Sequence, residues 1–444
     1  MTRNRILALS SIVLIASGGL IFACGGDDSG TDGGSDAKAD QTSNKDGGSD
    51  AAKDGSPFPD AGKDATVQDS GNDATLQDAT TDAIETDAPP DSSDDGAVTD
   101  ASLDGGALTF MVVRVNGGAD PDAGADASPN GEADTVFLEE RSVVDGSLVR
   151  TISLPVAVNG SNQPFTLNGN STSEGSLSLS ADGHYVVLAG YGAAPGTASI
   201  TSTATDGGVL RVVARVDKNG TVDTTTELAA YSGKNPRGAT SNDGTSFWVT
   251  GAGSTNEGPQ YVALSSTGAS TTLATAPTNV RFVQIFAGQV YISTGASTFH
   301  GVSAVGTGMP TTSGQTVTLL PGMPGTTGSQ YGFYMLDQDG GFNGLDTLYM
   351  CDDSTGDGVE KWTYNGTTWA KVTTFTDGTT NGCRGVLAYP DGNNIVVIAT
   401  TGGTSPGNKI LKYIDDGQNL TPTSTLLATA TTNTVYRGVA LSPQ

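Results

Sequence analysis

Cys383-Arg384-Gly385-Val386-Leu387-Ala388-Tyr389-Pro390-Asp391-Gly392-Asn393-Asn394-Ile395-Val396-Val397-Ile398-Ala399 carries an arginine-glycine pair into an apolar run, turns at Asp391-Gly392 and enters an aliphatic run. Two apolar runs of this length joined at Asp-Gly read as antiparallel strands in a tight hairpin. The plan recurs along the chain. Lys234–Thr250 sets Arg237-Gly238 ahead of a turn at Asp243-Gly244 and the run Phe247-Trp248-Val249. Glu174–Ala189 turns at Asp182-Gly183, with Glu174 in the place of the arginine. Tyr436-Arg437-Gly438 begins another copy, which halts at Gln444 after one strand.

Each unit closes on a second hairpin with glycine at its turn: Asp145-Gly146, Asn219-Gly220, Thr267-Gly268, Asn365-Gly366 and Asp416-Gly417. These glycines are about 50 residues, or a multiple of that, apart in the second half of the chain, and four short strands in such a unit make one propeller blade. No amphipathic helical run of useful length interrupts them. The expected fold is therefore all-β, a six-bladed propeller over residues 106–444, with seven blades as the alternative if 278–330 hides a further half-blade. The blades are expected at 171–231, 234–275, 278–322, 330–378 and 381–430. The sixth joins 434–444 to 107–158, closing the ring and removing free sheet edges. A two-residue turn at Asn365-Gly366 would set Trp362 directly opposite Trp369, as a cross-strand pair in the packing between blades.

Leu345-Asp346-Thr347-Leu348-Tyr349-Met350-Cys351-Asp352-Asp353, continuing through Gly358-Val359-Glu360-Lys361-Trp362, resembles blades of secreted bacterial propellers of the broad NHL, YVTN and SMP-30-like kind. The resemblance implies a fold rather than a chemistry, because propellers host enzymes and binders alike.

The N-terminus reads as an address. Arg3 and Arg5 precede a mostly apolar stretch, Ile6 to Ala23, broken by serines and glycines and marginal against the roughly 20 residues of a membrane span. Ile21-Phe22-Ala23-Cys24 resembles the bacterial lipobox, which implies a signal peptide at 1–23 and acylation of Cys24. Residues 24–105 are expected to be a disordered tether. Positions 25–105 hold 20 Asp, one Glu and four Lys, a net charge of −17, with Phe58 the only aromatic residue. Such a segment has too little apolar surface to offset its ordering entropy.

The whole chain of 444 residues carries −27, which excludes a nucleic-acid binder, and two histidines and three cysteines exclude zinc-finger arrays and disulfide-dense scaffolds. The expected partners are a membrane, through the lipid at Cys24, and an envelope protein or small anionic ligand. A monomer is expected, in the bacterial cell envelope, at the outer membrane or surface.

Blade order brings the starts of the innermost strands to one face. Arg237, Arg281, Arg384 and Arg437 are thereby expected around the channel mouth, with Glu174 and Tyr331-Gly332 in the remaining places. Converging guanidinium groups suit carboxylate or phosphate; the plainer alternative is that each arginine bonds a neighbouring blade. Asp352, Asp353 and Asp357 share a loop on that face and form a candidate calcium site, although the spacing departs from an EF-hand and Tyr364 stands where the closing glutamate belongs. No motif for an organic cofactor occurs. Cys351 and Cys383, at the same face of adjacent blades, are expected to be either disulfide-bonded or two buried thiols. Gly403-Thr404-Ser405-Pro406-Gly407 matches a nucleophile-elbow pattern but joins two strands, the wrong context. The functional expectation is a non-catalytic ligand- or protein-binding module; the alternative is a calcium-dependent, lactonase-like hydrolase.

Overall fold

The computed structural model describes residues 108–116, 129–205, 207–338, 344–354, 356–378, 382–403 and 407–444. The expected signal peptide, Cys24, the tether and Ser405 lie outside the described residues.

In chain order the strands are β1 (Thr109–Asn116), β2 (Ala133–Ser142), β3 (Leu148–Ser153), β4 (Thr166–Asn168), β5 (Ser178–Leu179), β6 (Tyr185–Tyr191), β7 (Arg211–Asp217) and β8 (Val222–Leu228). A one-turn helix, α1 (Ile200–Thr203), sits between β6 and β7. There follow β9 (Pro236–Ser241), β10 (Ser246–Gly251), β11 (Gln260–Ala263), β12 (Thr267–Gly268), β13 (Thr271–Thr272), β14 (Val280–Phe286), β15 (Gln289–Thr294), β16 (Gly301–Val305) and β17 (Val317–Leu319). The chain continues through β18 (Gln330–Leu336), β19 (Thr347–Asp352), β20 (Val359–Tyr364), β21 (Trp369–Phe375), β22 (Cys383–Asp391), β23 (Asn394–Thr401), β24 (Lys409–Asp415), β25 (Thr425–Thr429) and β26 (Thr434–Leu441).

The arrangement is all-β and propeller-like. Four sheets have four strands each: β9-β10-β11-β13, β14 to β17, β18 to β21 and β22 to β25. A fifth, of ten strands, contains the runs β26-β1-β2-β3 and β5-β6-β7-β8, bridged by the short β4. The β1–β26 ladder is antiparallel, with Val112 opposite Val439 and Arg114 opposite Tyr436.

Burial follows strand rank within each sheet. Second strands such as β23, Asn394–Thr401, are buried along nearly their whole length, which is why their sequences run continuously aliphatic rather than alternating. Outermost strands such as β3 and β21 are far more exposed, and leave Leu148, Val149 and Val372 open to solvent. The apolar clusters lie between consecutive sheets: Val187 and Ala189 of β6 pack with Phe247 and Val249 of β10, and Tyr349 of β19 packs with Val397 of β23. The innermost strands touch in closed succession, β9 to β14, β18, β22, β26, β5 and back to β9.

Two local expectations are corrected. Trp369 lies opposite Tyr364, not Trp362, and Trp362 faces Lys371. The loop is longer than two residues: the Asn365 side chain accepts from the amides of Thr367 and Thr368 at 3.0 and 2.9 Å, and a register shift follows at Lys361/Trp362. Both indoles remain buried in one cluster, with Phe333 and Met350. Thr267-Gly268 is not a simple hairpin turn either; it forms β12, parallel to β8 of the preceding sheet.

Candidate functional site

The arginine-glycine pairs sit at a repeated defect in the ladders. In β9 pairing passes from Pro236 to Gly238, skipping Arg237; in β14 it skips Arg281; in β22 it skips Arg384. In β18 the irregularity covers Tyr331-Gly332, and in β26 Arg437-Gly438. An extra residue in one strand bends it and re-aims its side chain, so one irregularity near the start of each inner strand turns these side chains out of the ladder.

The paired glycine has a separate cause. A Cβ on Gly438 would come within 2.2 Å of the Leu177 amide nitrogen, and one on Gly385 within 3.2 Å of the Gly438 Cα. Backbones approach so closely here that only hydrogen fits. The segment at 174–177 completes the succession: Gly438 N donates to Gly175 O at 2.9 Å, and Ser176 N to Arg237 O at 3.1 Å. Ser176 Oγ also donates to Arg281 O at 3.3 Å.

Arg237, Arg281 and Arg384 reach partners beside adjoining sheets, and Arg437 reaches the segment after β4. Arg237 donates to Asn279 Oδ1, and Arg281 to Ser329 Oγ at 2.6 Å. Arg384 pairs with Asp353, while Arg437 donates to the carbonyls of Ser171 and Gly169, the latter at 2.8 Å. Glu174 accepts from Tyr191 Oη at 2.7 Å, from the Asn168 amide at 2.8 Å and from Asn235 Nδ2. Asn235, Asn279 and Ser329 each stand two residues before Arg237, Arg281 or Tyr331. That spacing is legible in the sequence and passed unread there.

These contacts leave donors over. Nε of all four arginines, and Nη1 of Arg384, are buried without a hydrogen-bond partner among the described residues. An orphaned buried donor costs about 1–3 kcal/mol, so five of them form an unmet demand for an acceptor. Burial pushes the guanidinium of Arg237 down to about 10, with Arg281 and Arg384 adding repulsion. Burial likewise pushes Arg437 down to about 10, opposed mainly by the Glu174 charge. Glu174 is itself raised above the usual carboxylate range by burial, which outweighs its hydrogen bonds and the nearby Arg437.

Arg384, Arg437 and Glu174 line one small cavity together with Tyr331. Tyr331 is held between two guanidiniums: the carbon of Arg281 lies 4.2 Å, and that of Arg384 4.5 Å, from its ring centroid. Arg281 thus belongs to the cluster through Tyr331. Arg237 does not line the cavity and faces Asn279 instead.

The acidic loop is divided. Asp352 is buried and accepts from the amides of Ser329 and Ser354 and from Gln330 Nε2. Asp353 turns to Arg384. Partial burial and the Asp352 charge raise the carboxyl of Asp357. Among the described residues, no group of three or more His, Cys, Asp or Glu side chains is arranged to hold a metal ion. Cys351 and Cys383 form a disulfide with Cα atoms 5.0 Å apart. His184 pairs with Asp182 at 3.0 Å, and His300 Nδ1 lies 2.8 Å from Gly328 O; neither borders the cavity.

No family model matches the chain, and no curated protein does. Among solved structures it is similar to a candidate 6-phosphogluconolactonase from Bacteroides uniformis, at 12% identity over 73% of this chain and 82% of that one, with a TM-score of 0.40. It is also similar to apo AztD from Citrobacter koseri (13%, 72% and 71%, TM-score 0.30) and to the dihydro-heme d1 dehydrogenase NirN (10%, 74% and 74%, TM-score 0.35). At these TM-scores the likenesses say nothing about chemistry.

Proposed function

We propose that the chain is an envelope-anchored binding protein whose propeller receives a small anionic ligand at the arginine-lined mouth. In this reading the ten-stranded sheet counts as two blades, β26-β1-β2-β3 and β5-β6-β7-β8, making six in all. The ligand site is the cavity bordered by Arg384, Arg437, Tyr331 and Glu174. One observation carries it: buried guanidinium nitrogens with no acceptor among the described residues belong to arginines that line a cavity. Arginines whose only work was to tie blades together would be fully served by those ties, and these are not.

The alternative, a calcium-dependent hydrolase, draws on the acidic loop. Asp353 is committed to Arg384 and Asp352 to loop amides, so no observation favours it over binding. Thermal unfolding of the full-length protein tests the choice. Small anions added at constant ionic strength are expected to raise Tm with the logarithm of their concentration, reaching about 2.7 kcal/mol of stabilisation at a hundredfold excess over Kd. Calcium and EDTA are expected to leave Tm unchanged. A calcium shift with no anion shift would overturn the proposal.

A further inference from the structure

Given the anion site proposed above, on which this inference rests, the geometry points to a carboxylate head in preference to phosphate or sulfate. Three observations converge. The first is size. The cavity bordered by Arg384, Arg437 and Tyr331 offers about 20 Å³ to the centres of water-sized atoms, so a compact head group enters and the rest of the ligand stays outside. A carboxylate brings two oxygens on one planar carbon, whereas a phosphoryl or sulfuryl group brings at least three around a tetrahedral centre.

The second is charge. Glu174 borders the same cavity, is only 2% exposed, and already accepts three hydrogen bonds. Asp353 is paired with Arg384 and adds a second carboxylate beside it. A dianion would set its second charge against these carboxylates in a poorly solvated space, where like charges are costly. A monoanion meets the guanidiniums with less of that repulsion.

The third is the donor set. Arg384 offers Nε and Nη1 and Arg437 offers Nε, all buried and unpartnered among the described residues. Three N–H donors suit a carboxylate, which accepts through two oxygens. The flat ring of Tyr331, fixed between two guanidiniums, walls one side of the space. The rest of the ligand would leave past Thr172, Ser173 and Thr401, whose side chains supply a polar rim.

Calorimetric titration of the full-length protein with propionate, inorganic phosphate and sulfate, at one ionic strength, tests the assignment. Propionate is expected to bind saturably and about tenfold more tightly than either tetrahedral anion, a difference of about 1.4 kcal/mol. The double variant Arg384→Gln/Asp353→Asn removes the guanidinium that supplies two of the three donors without stranding a charge, and is expected to lose about tenfold in propionate affinity. If that variant does not fold, competition between carboxyl-labelled propionate and phosphate on the unaltered protein, read from the carboxyl NMR signal, decides the same point. Phosphate or sulfate binding as tightly as propionate overturns the carboxylate assignment and leaves the anion site standing. No saturable binding by any of the three overturns both.

Discussion

Gly438 shows what one atom decides in this protein. Its missing side chain allows β26 to meet the segment at 174–177, where a Cβ would press on a backbone nitrogen and, at 2.5 Å, on the Gly175 carbonyl oxygen. Neither atom can swing aside as a side chain would. Gly438→Ala is therefore expected to destabilise the domain by about 1–3 kcal/mol, seen as a lowered Tm, with the arginine face disturbed because Arg437 is the neighbouring residue. The recurrence of Arg-Gly was readable from the sequence. What it concealed was the division of labour: the arginine occupies a ladder defect, and the glycine permits the backbone approach beside it. The defect at Arg384 lies within one hairpin, where pairing passes from Cys383 opposite Thr401 to Gly385 opposite Thr400, and an apolar run with a turn residue does not by itself announce it. Tyr331 was hidden for a similar reason. It looked like a gap in the arginine series, and only the packed ring reveals two guanidiniums stacked on it.

Among the elements, strand identity was legible wherever a turn residue met an aliphatic run, as at Asp391-Gly392 before β23. It failed where side chains redirected the chain, as when Asn365 captured two amides and shifted the tryptophans out of opposition. The β19-to-β22 tie belongs to this scale. The Cys351–Cys383 bond spans a sequence separation of 32 and joins the end of one sheet's second strand to the start of the next sheet's first. By restricting the unfolded chain it is expected to contribute about 2–4 kcal/mol. The Cys351→Ser/Cys383→Ser variant should show that loss as a lower urea midpoint with reducing agent having no further effect. An unchanged midpoint would show that packing alone holds the two sheets.

For the whole molecule, the formal charge of −27 is concentrated in residues 25–105, which carry −17. We propose that Cys24 carries a lipid anchor. Cys24→Ser is expected to abolish incorporation of labelled palmitate and to shift the protein out of the membrane fraction; retention of label in that variant would refute the anchor.

The pairing of β1 with β26 also fixes the order of events in time. Arg141 bonds Tyr436 at 3.0 Å across 295 positions of chain, and the ladder beside it spans a similar interval. As the polypeptide grows, β1 and β2 can join early, but the axial side of β1 must wait for nearly all of the domain to be made. Folding of this kind is dominated by late closure of a very long loop and falls at the slow end of the range. Until that closure the waiting strand is open to another unfolded chain, so the vulnerable period of this protein lasts until its C-terminal strand has docked.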